Sequence, residues 1–175
     1  MRPQRVSLSA AGFSPWLNIN RMPKGNFGVA IAVKLSSGAS LTYSVQHTSD
    51  PLYNASTQEW SASRTTTTGT ITKTNHGLSV GDWTQMDAAA PFNTAYAVAS
   101  VVDANNYTIT VPDSGVASVS KGAANLWTAR VSETSGMSAQ TASKDGNYVV
   151  PPTACRLVIT SYASGFADLD VRQVG

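Results

Sequence analysis

The fold of this chain is indicated by the stretch Val29-Ala30-Ile31-Ala32-Val33-Lys34-Leu35 and, after a turn, by Leu41-Thr42-Tyr43-Ser44-Val45-Gln46. In both stretches apolar residues alternate with small or polar ones, which is the two-residue period of a β-strand with one buried face. The residues between the stretches, 36–40, comprise three serines, a glycine and an alanine, a composition typical of a turn. We therefore predict a β-hairpin over residues 28–47.

A second pair of alternating runs lies near the C-terminus. The apolar positions of these runs are Cys155, Leu157 and Ile159, then Ala167, Leu169 and Val171. A turn-rich segment, 161–165, separates them, which predicts a second hairpin. Helical periodicity is almost absent from the chain, so we predict an all-β fold, an antiparallel β-sandwich or jelly-roll-like domain.

The composition narrows the class of protein. The chain has 175 residues, of which 42% are hydrophobic and 13% are charged, and its formal net charge is +2. The hydrophobic share is sufficient for a folded core, and the low charge argues against the dense positive field of a nucleic-acid-binding protein. The 22 serines and 19 threonines give a polar, weakly charged surface, as in many all-β structural and assembly proteins.

Cysteine, targeting and membrane signals are all negative. The single Cys155 cannot form an internal disulfide, and no stretch approaches the roughly 20 apolar residues that cross a bilayer. The N-terminus carries two arginines without an apolar segment after them, so we expect no signal peptide. These features predict a soluble protein, made in the cytoplasm, with no membrane and no nucleic-acid partner.

The middle of the chain differs in composition from its two ends. Two loose, polar stretches, 61–69 and 112–122, enclose a segment with predicted strands of its own at 70–73, 83–86, 96–102 and 107–111. We predict a small inserted β module over residues 69–127, within a parent β-sandwich formed by 1–68 and 128–175. The alternative is a single continuous sandwich with one more hairpin.

The inserted segment carries the most recognisable motifs of the chain. They are Asn75-His76-Gly77-Leu78-Ser79-Val80-Gly81-Asp82-Trp83, Phe92-Asn93-Thr94-Ala95-Tyr96-Ala97-Val98 and Val101-Val102-Asp103-Ala104-Asn105-Asn106-Tyr107-Thr108-Ile109. This combination resembles a small β module that recurs in virion proteins of tailed bacteriophages. In that module an HGLxxGD turn precedes a strand, a YNGxYxV strand follows, and a VxDANTFT hairpin closes the module. One departure is Asn93-Thr94-Ala95, which stands where the usual pattern has Asn-Gly.

The outer segments are similar to small proteins encoded in phage structural gene clusters. The similar stretches are 41–48, 154–160 and 170–173. We expect a capsid decoration (cement) protein on the capsid surface, which binds the major capsid protein lattice or other virion proteins and forms a homodimer or homotrimer. The resemblance itself implies a virion component without identifying which one. It leaves open a collar, head–tail junction or tail-fibre component. A receptor- or glycan-binding module is the alternative from another class.

Candidate catalytic residues are few. His76 lies in a Gly-flanked turn, where an imidazole usually bonds local backbone, and His47 is assigned to the polar side of its strand, ahead of Asp50. No G-x-S-x-G motif is present, and no pair of His or Cys has ligand spacing. Asp168 and Asp170 share a strand face with an arginine, which favours a solvated face over a carboxylate pair. We predict no catalytic residue, no metal, no cofactor and no enzyme activity.

The first 25 residues form the candidate partner interface. They carry four basic residues and no acid, together with aromatic residues and three prolines, which suits an extended arm that docks on an acidic protein surface. The predicted interface residues are Arg2, Arg5, Phe13, Trp16, Arg21 and Lys24. The other three tryptophans are predicted to be core residues. The alternative is that part of this segment pairs with the parent sheet, as terminal strands often do.

Overall fold

The computed structural model describes residues 3–19, 28–52, 59–120, 125–150 and 152–174. In chain order its strands are β1 (Gln4–Leu8), β2 (Gly12–Phe13), β3 (Leu17–Asn18), β4 (Gly28–Leu35), β5 (Ser40–Thr48), β6 (Trp60–Thr65), β7 (Thr68–Lys73), β8 (Trp83–Met86), β9 (Ala95–Ala97), β10 (Ser100–Val101), β11 (Asn106–Thr110), β12 (Ser118–Ser120), β13 (Leu126–Ala129), β14 (Ser132–Glu133), β15 (Lys144–Tyr148), β16 (Ala154–Ser164) and β17 (Ala167–Val174). All pairings between these strands are antiparallel, and the predicted all-β class is confirmed. Within the described ranges, no helix has the length and apolar character needed to span a bilayer.

The chain divides into two compact units. The first unit comprises Met1–Ser49 and Ser132–Gly175, and the second unit comprises Asp50–Val131. These bounds differ from the predicted insert of 69–127, chiefly at its start. The reason is that β6 lies in the stretch interpreted as a polar linker and pairs along its whole length with β7, so residues 60–65 belong to the second unit. Because serine and alanine alternate in β6 and both are small, its two-residue period is not evident from the sequence.

The first unit is built from two sheets around one core. Sheet A has the strand order β1-β17-β4-β15, and sheet B has the order β14-β5-β16-β2, with β3 also paired to β16. The residues predicted to alternate inward are buried on all four long strands, which confirms the predicted faces. The core includes Val29, Ile31, Val33, Leu41, Tyr43, Val45, Cys155, Leu157, Ile159, Ala167, Leu169 and Val171. Burial of these side chains is the main stabilising contribution to this unit.

Neither predicted hairpin forms. Strand β4 pairs with β17, and β5 pairs with β16, so each predicted hairpin instead crosses from sheet A to sheet B. The two crossings, residues 36–39 and 165–166, lie against each other. The Ser36 N–H donates to the Phe166 carbonyl at 3.0 Å, and the Phe166 N–H donates to Ser36 Oγ at 3.0 Å. An alternating run specifies which side chains face the core, but a hairpin and a crossing between facing sheets satisfy that pattern equally well.

The second unit also contains two sheets. Sheet C has the order β10-β11-β7-β6-β12, and sheet D has the order β13-β8-β9. Its core residues include Trp60, Ile71, Met86, Phe92, Tyr107, Ile109 and Leu126. The predicted strands at 70–73, 83–86 and 107–111 are present to within about two residues, whereas the predicted strand 96–102 is divided between β9 in sheet D and β10 in sheet C.

Candidate functional site

The first part of the predicted arm is a strand of sheet A. Strand β1 pairs with β17 over its full length, from Gln4↔Val171 to Leu8↔Ala167. Arg5 forms a bidentate ion pair with Asp170, with Nε–Oδ1 at 2.6 Å and Nη2–Oδ2 at 2.9 Å. The expectation of an extended arm is therefore wrong for these residues, and the alternative of pairing with the parent sheet holds. Of the predicted interface residues, Arg2, Arg21 and Lys24 lie outside the described residues.

The two aromatic residues of the predicted interface pack on one buried arginine. The Arg156 guanidinium lies 4.3 Å from the Phe13 ring centroid and 4.5 Å from the Trp16 ring centroid. Its Nε and Nη2 donate to Gln46 Oε1 at 3.1 and 2.8 Å. We call Phe13, Trp16, Gln46 and Arg156 the arginine cluster. Cation–π contacts of this kind gain strength when the cation is desolvated.

Local backbone contacts hold the aromatic residues over sheet B. The Ser14 N–H donates to the Leu157 carbonyl at 2.9 Å, and the Leu157 N–H donates to Ser14 Oγ at 3.0 Å. Arg156 is 1% exposed, whereas Phe13 is 41% exposed. Burial lowers the pKa of the Arg156 guanidinium to about 10, so the group still carries its charge at neutral pH. Only Phe13 presents a substantial apolar surface to a partner from this cluster.

Arg156 is a site residue that the sequence reasoning missed. Both neighbours of Arg156 are buried, and so is the whole run from Ala154 to Ile159. A strand in which both faces are buried reads as a continuous apolar run. The sequence feature that could have revealed this site is therefore a single charged residue within an apolar run. Such a run indicates that a second layer covers the outer face of sheet B.

His47 belongs to a polar cluster at the inner side of sheet B. It shares the parity of Val45, so its assignment to the polar side of the strand is wrong. Its Nδ1 lies 3.2 Å from Thr134 Oγ1, which lies 2.7 Å from the Tyr148 hydroxyl, and its ring meets the Tyr148 ring edge-on at 5.4 Å. Cys155 lies directly opposite His47 in the β5–β16 register.

The environment of this cluster favours the uncharged form of each group. Burial raises the pKa of the Cys155 thiol to about 12 and also raises the pKa of Tyr148, while burial lowers the pKa of His47. A cysteine nucleophile needs the thiolate, which burial here disfavours. The cluster is thus suited to hold the end of the sandwich together. In the described ranges, no three His, Cys, Asp or Glu side chains are grouped so that they could share a metal ion.

The HGLxxGD motif forms a closed structural turn. The Leu78 N–H donates to His76 Nδ1 at 3.0 Å, and His76 Nε2–H donates to the Asp103 carbonyl at 2.9 Å. Asp82 accepts from the Ser79 N–H at 2.7 Å. Gly77 lies at φ +63°, a conformation that favours glycine. Each polar residue of the motif therefore has a structural task.

A search for known relatives gives no further guide to function. No family model, no curated protein and no solved structure matches the chain. The residues of this chain and the resemblance of its motifs are therefore what indicates its function.

The Arg5–Asp170 pair gives a pH-dependent contribution to stability. The hydrogen bonds from Arg5 hold the pKa of the Asp170 carboxyl below its ordinary value, so the folded state releases this proton more readily than the unfolded chain does. The contribution is complete above the ordinary carboxyl range and is lost as the pH falls through the lowered pKa. We expect Arg5→Gln to lower the urea midpoint at pH 7 and to have progressively less effect at acid pH, as the pH falls through the lowered pKa and protonation of the carboxyl removes the ion pair from the wild-type protein.

Lys34→Gln is the matched control, because Lys34 is a more distant cation on the same sheet face and has the smallest effect on the pKa of Asp170. It should change the midpoint less than Arg5→Gln does at pH 7. An Arg5→Gln effect of the same size at pH 7 and at acid pH would show that the ion pair is not its source.

Proposed function

We propose that the chain is a structural component of a tailed-phage virion, a capsid decoration protein that binds the lattice of the major capsid protein. The observation that carries this proposal is the turn of His76, Asp82 and Asp103, in which the residues that resemble the virion module bond to each other's backbone. A module whose polar residues serve its own fold is suited to assembly. The all-β, weakly charged composition supports the same role.

The contact with the shell is proposed to use a preformed surface. Residues 4–18 contribute strands to both sheets of the first unit, so binding needs little ordering of this segment and loses little conformational entropy. Phe13 is the anchor of this surface, because its ring is held in place by Arg156 and remains 41% exposed. Two or three copies acting together would raise the avidity for a repeating lattice.

Co-sedimentation with shells assembled without this chain tests the proposal. Tagged wild-type protein is expected to sediment with the shells, and Phe13→Ala is expected to reduce occupancy about tenfold, which corresponds to about 1.4 kcal/mol for a lost aromatic anchor. Phe166→Ala is the matched control, because Phe166 is a similarly exposed aromatic residue at 42%.

Circular dichroism must first show that both variants are folded, since Phe13 also covers Arg156. Wild-type protein that fails to bind shells, or a Phe13→Ala variant that binds them as well as wild type, would refute the proposal. Binding to purified tails but not to shells would assign the protein to the tail instead of the capsid.

A further inference from the structure

The outer face of sheet C is an ordered array of hydroxyl groups. Its rows follow directly from the strand register, because residues paired across antiparallel strands point to the same side. The first row comprises Ser118, Ser63, Thr70, Thr108 and Ser100. The second comprises Ser120, Ser61, Thr72 and Asn106, and the third comprises Thr65, Thr68 and Thr110. We call these residues the hydroxyl face.

The alternation of sheet C explains why the face is free of apolar side chains. The residues between these rows, among them Ala62, Ile71, Tyr107 and Ile109, are buried in the core of the second unit. Residues that neighbour each other in a row therefore lie on strands about 4.8 Å apart, and the rows are about 6.8 Å apart along the strands. Most members of the face are exposed.

The face is neutral and retains capacity for further hydrogen bonds. Thr72 Oγ1 donates to Asn106 Oδ1 at 2.8 Å, and the Ser100 and Thr108 hydroxyls are 2.7 Å apart. A hydroxyl offers one donor and two acceptor positions, so the three hydroxyls in these pairs can still bond to a ligand. No Lys, Arg, Asp or Glu occupies any position of the face, which disfavours a nucleic acid.

The composition also disfavours a protein partner. Binding energy at protein interfaces is concentrated in Trp, Tyr and Arg, and serine is depleted there. None of these three residue types occurs on the hydroxyl face. A ligand that is itself rich in hydroxyls, uncharged and extended matches the face better, because each of its groups can exchange a hydrogen bond with water for one with the protein.

One edge of the face continues into a groove. Four serines of β6 and β12, Ser61, Ser63, Ser118 and Ser120, line this open groove together with Ala89 and Val116, and its volume is about 630 Å³. This volume lies within the range of small-ligand sites, roughly 300–1,000 Å³. Hydroxyls beside an apolar wall suit a sugar ring, which has polar edges and a C–H face.

We propose that the hydroxyl face of sheet C binds a neutral polysaccharide, with one sugar unit seated in the groove that residues of β6 and β12 line. The chain of the ligand runs across the strands along the first row, so that successive sugar units meet successive strands. This inference is independent of the proposed role in the capsid, because it concerns a ligand outside the particle and residues of the second unit only.

Affinity electrophoresis tests the proposal with defined probes. Native gels are cast with dextran, galactomannan or mixed-linkage β-glucan, and with anionic alginate for comparison. We expect at least one neutral polysaccharide to retard the wild-type protein, and we expect the retardation to persist in salt, because it does not depend on charge. The double variant Thr70→Val, Thr108→Val keeps the β-branched shape and removes two central hydroxyls, and it should weaken binding about tenfold.

Thr160→Val is the matched control, because Thr160 is an exposed strand residue of the first unit, and it should be retarded like wild type. Several outcomes would overturn the proposal: no retardation of wild type by any neutral polysaccharide, retardation by alginate alone, or equal retardation of the double variant. A double variant that changes only the oligomeric state would assign the face to contacts between copies. Shell co-sedimentation of the double variant should remain at the wild-type level, so the two proposals can fail separately.

Discussion

Gly165→Ala is expected to destabilise the first unit by about 3–5 kcal/mol, enough to remove much of the stability of an ordinary domain. Gly165 lies in the crossing between β16 and β17 at φ +90°, where an L-residue is strained. A Cβ atom at this position would lie 2.6 Å from the Ala39 Cβ, 2.7 Å from the Ala39 Cα and 2.7 Å from Ser36 Oγ. The two crossings would have to separate, which would disturb both pairs of long strands.

Gly38→Ala is the control for this variant. Gly38 lies in the facing crossing at φ +71°, but a Cβ atom there would meet nothing within 4 Å. Conformational strain alone should cost about 1 kcal/mol. Urea unfolding followed by circular dichroism measures both variants, and equal midpoints for Gly165→Ala and Gly38→Ala would mean that close approach of the crossings does not limit stability.

Arg156→Ala is expected to cost about 3 kcal/mol, whereas Arg156→Met should lie within about 1 kcal/mol of the wild-type stability. Alanine leaves a cavity beneath Phe13 and Trp16 and removes both donors to Gln46 Oε1. Methionine fills much of that space with an apolar chain and avoids burying a charge. Replacement of a buried charge by a well-packed apolar residue is often neutral for this reason.

Thermal unfolding of the two Arg156 variants at the same pH distinguishes packing from charge. A methionine variant as unstable as the alanine variant would show that the cation–π and amide contacts, not the filled volume, hold residues 12–18 on sheet B. Phe13→Leu is a useful additional variant, because leucine keeps an apolar side chain over Arg156 but removes the ring. It should lower the free energy of unfolding only by the cation–π contribution, about 1 kcal/mol.

The alternating runs allowed the faces of the long strands to be predicted, but not their partners. Val29, Ile31, Val33 and their counterparts on the other strands are buried as expected, because period-two patterning reports on one strand at a time. Pairing depends on contacts between residues more than 100 positions apart, such as Leu35 with Ala167. A short turn sequence such as 36–40 carries no signal that separates a hairpin from a crossing between sheets.

The candidate interface was predictable only in its aromatic members. Phe13 and Trp16 stand out in the sequence as large apolar residues in a basic, proline-containing segment. Their partner Arg156 lies 140 residues further along and reads as one polar position among apolar ones. The role of Arg5 was obscured in the same way, since Asp170 is its partner only through the β1–β17 register. The sequence pattern contains no information on which residues of distant strands are paired.

The hydroxyl face shows how a pattern can be visible and still be misread. The residues 61–69 look like a polar linker, because serine and threonine are common in loops. The period of two in 61–63 and 70–72 becomes evident only when Ala62 and Ile71 are seen to be buried. Small hydroxylated residues thus hid both a strand and the start of the second unit.

The strand pairing of the first unit also determines when it can form during synthesis. Within the described part of the chain, every strand from β1 to β5 pairs only with strands from β14 to β17. During synthesis, strands β1 to β5 therefore cannot form their final pairs until β14 to β17 have been made. Their backbone edges stay unpaired while the second unit is synthesised and is free to fold. Unpaired edges of this kind invite pairing with other nascent chains. We therefore expect the yield of folded protein to depend on translation speed and on chaperones as well as on its final stability.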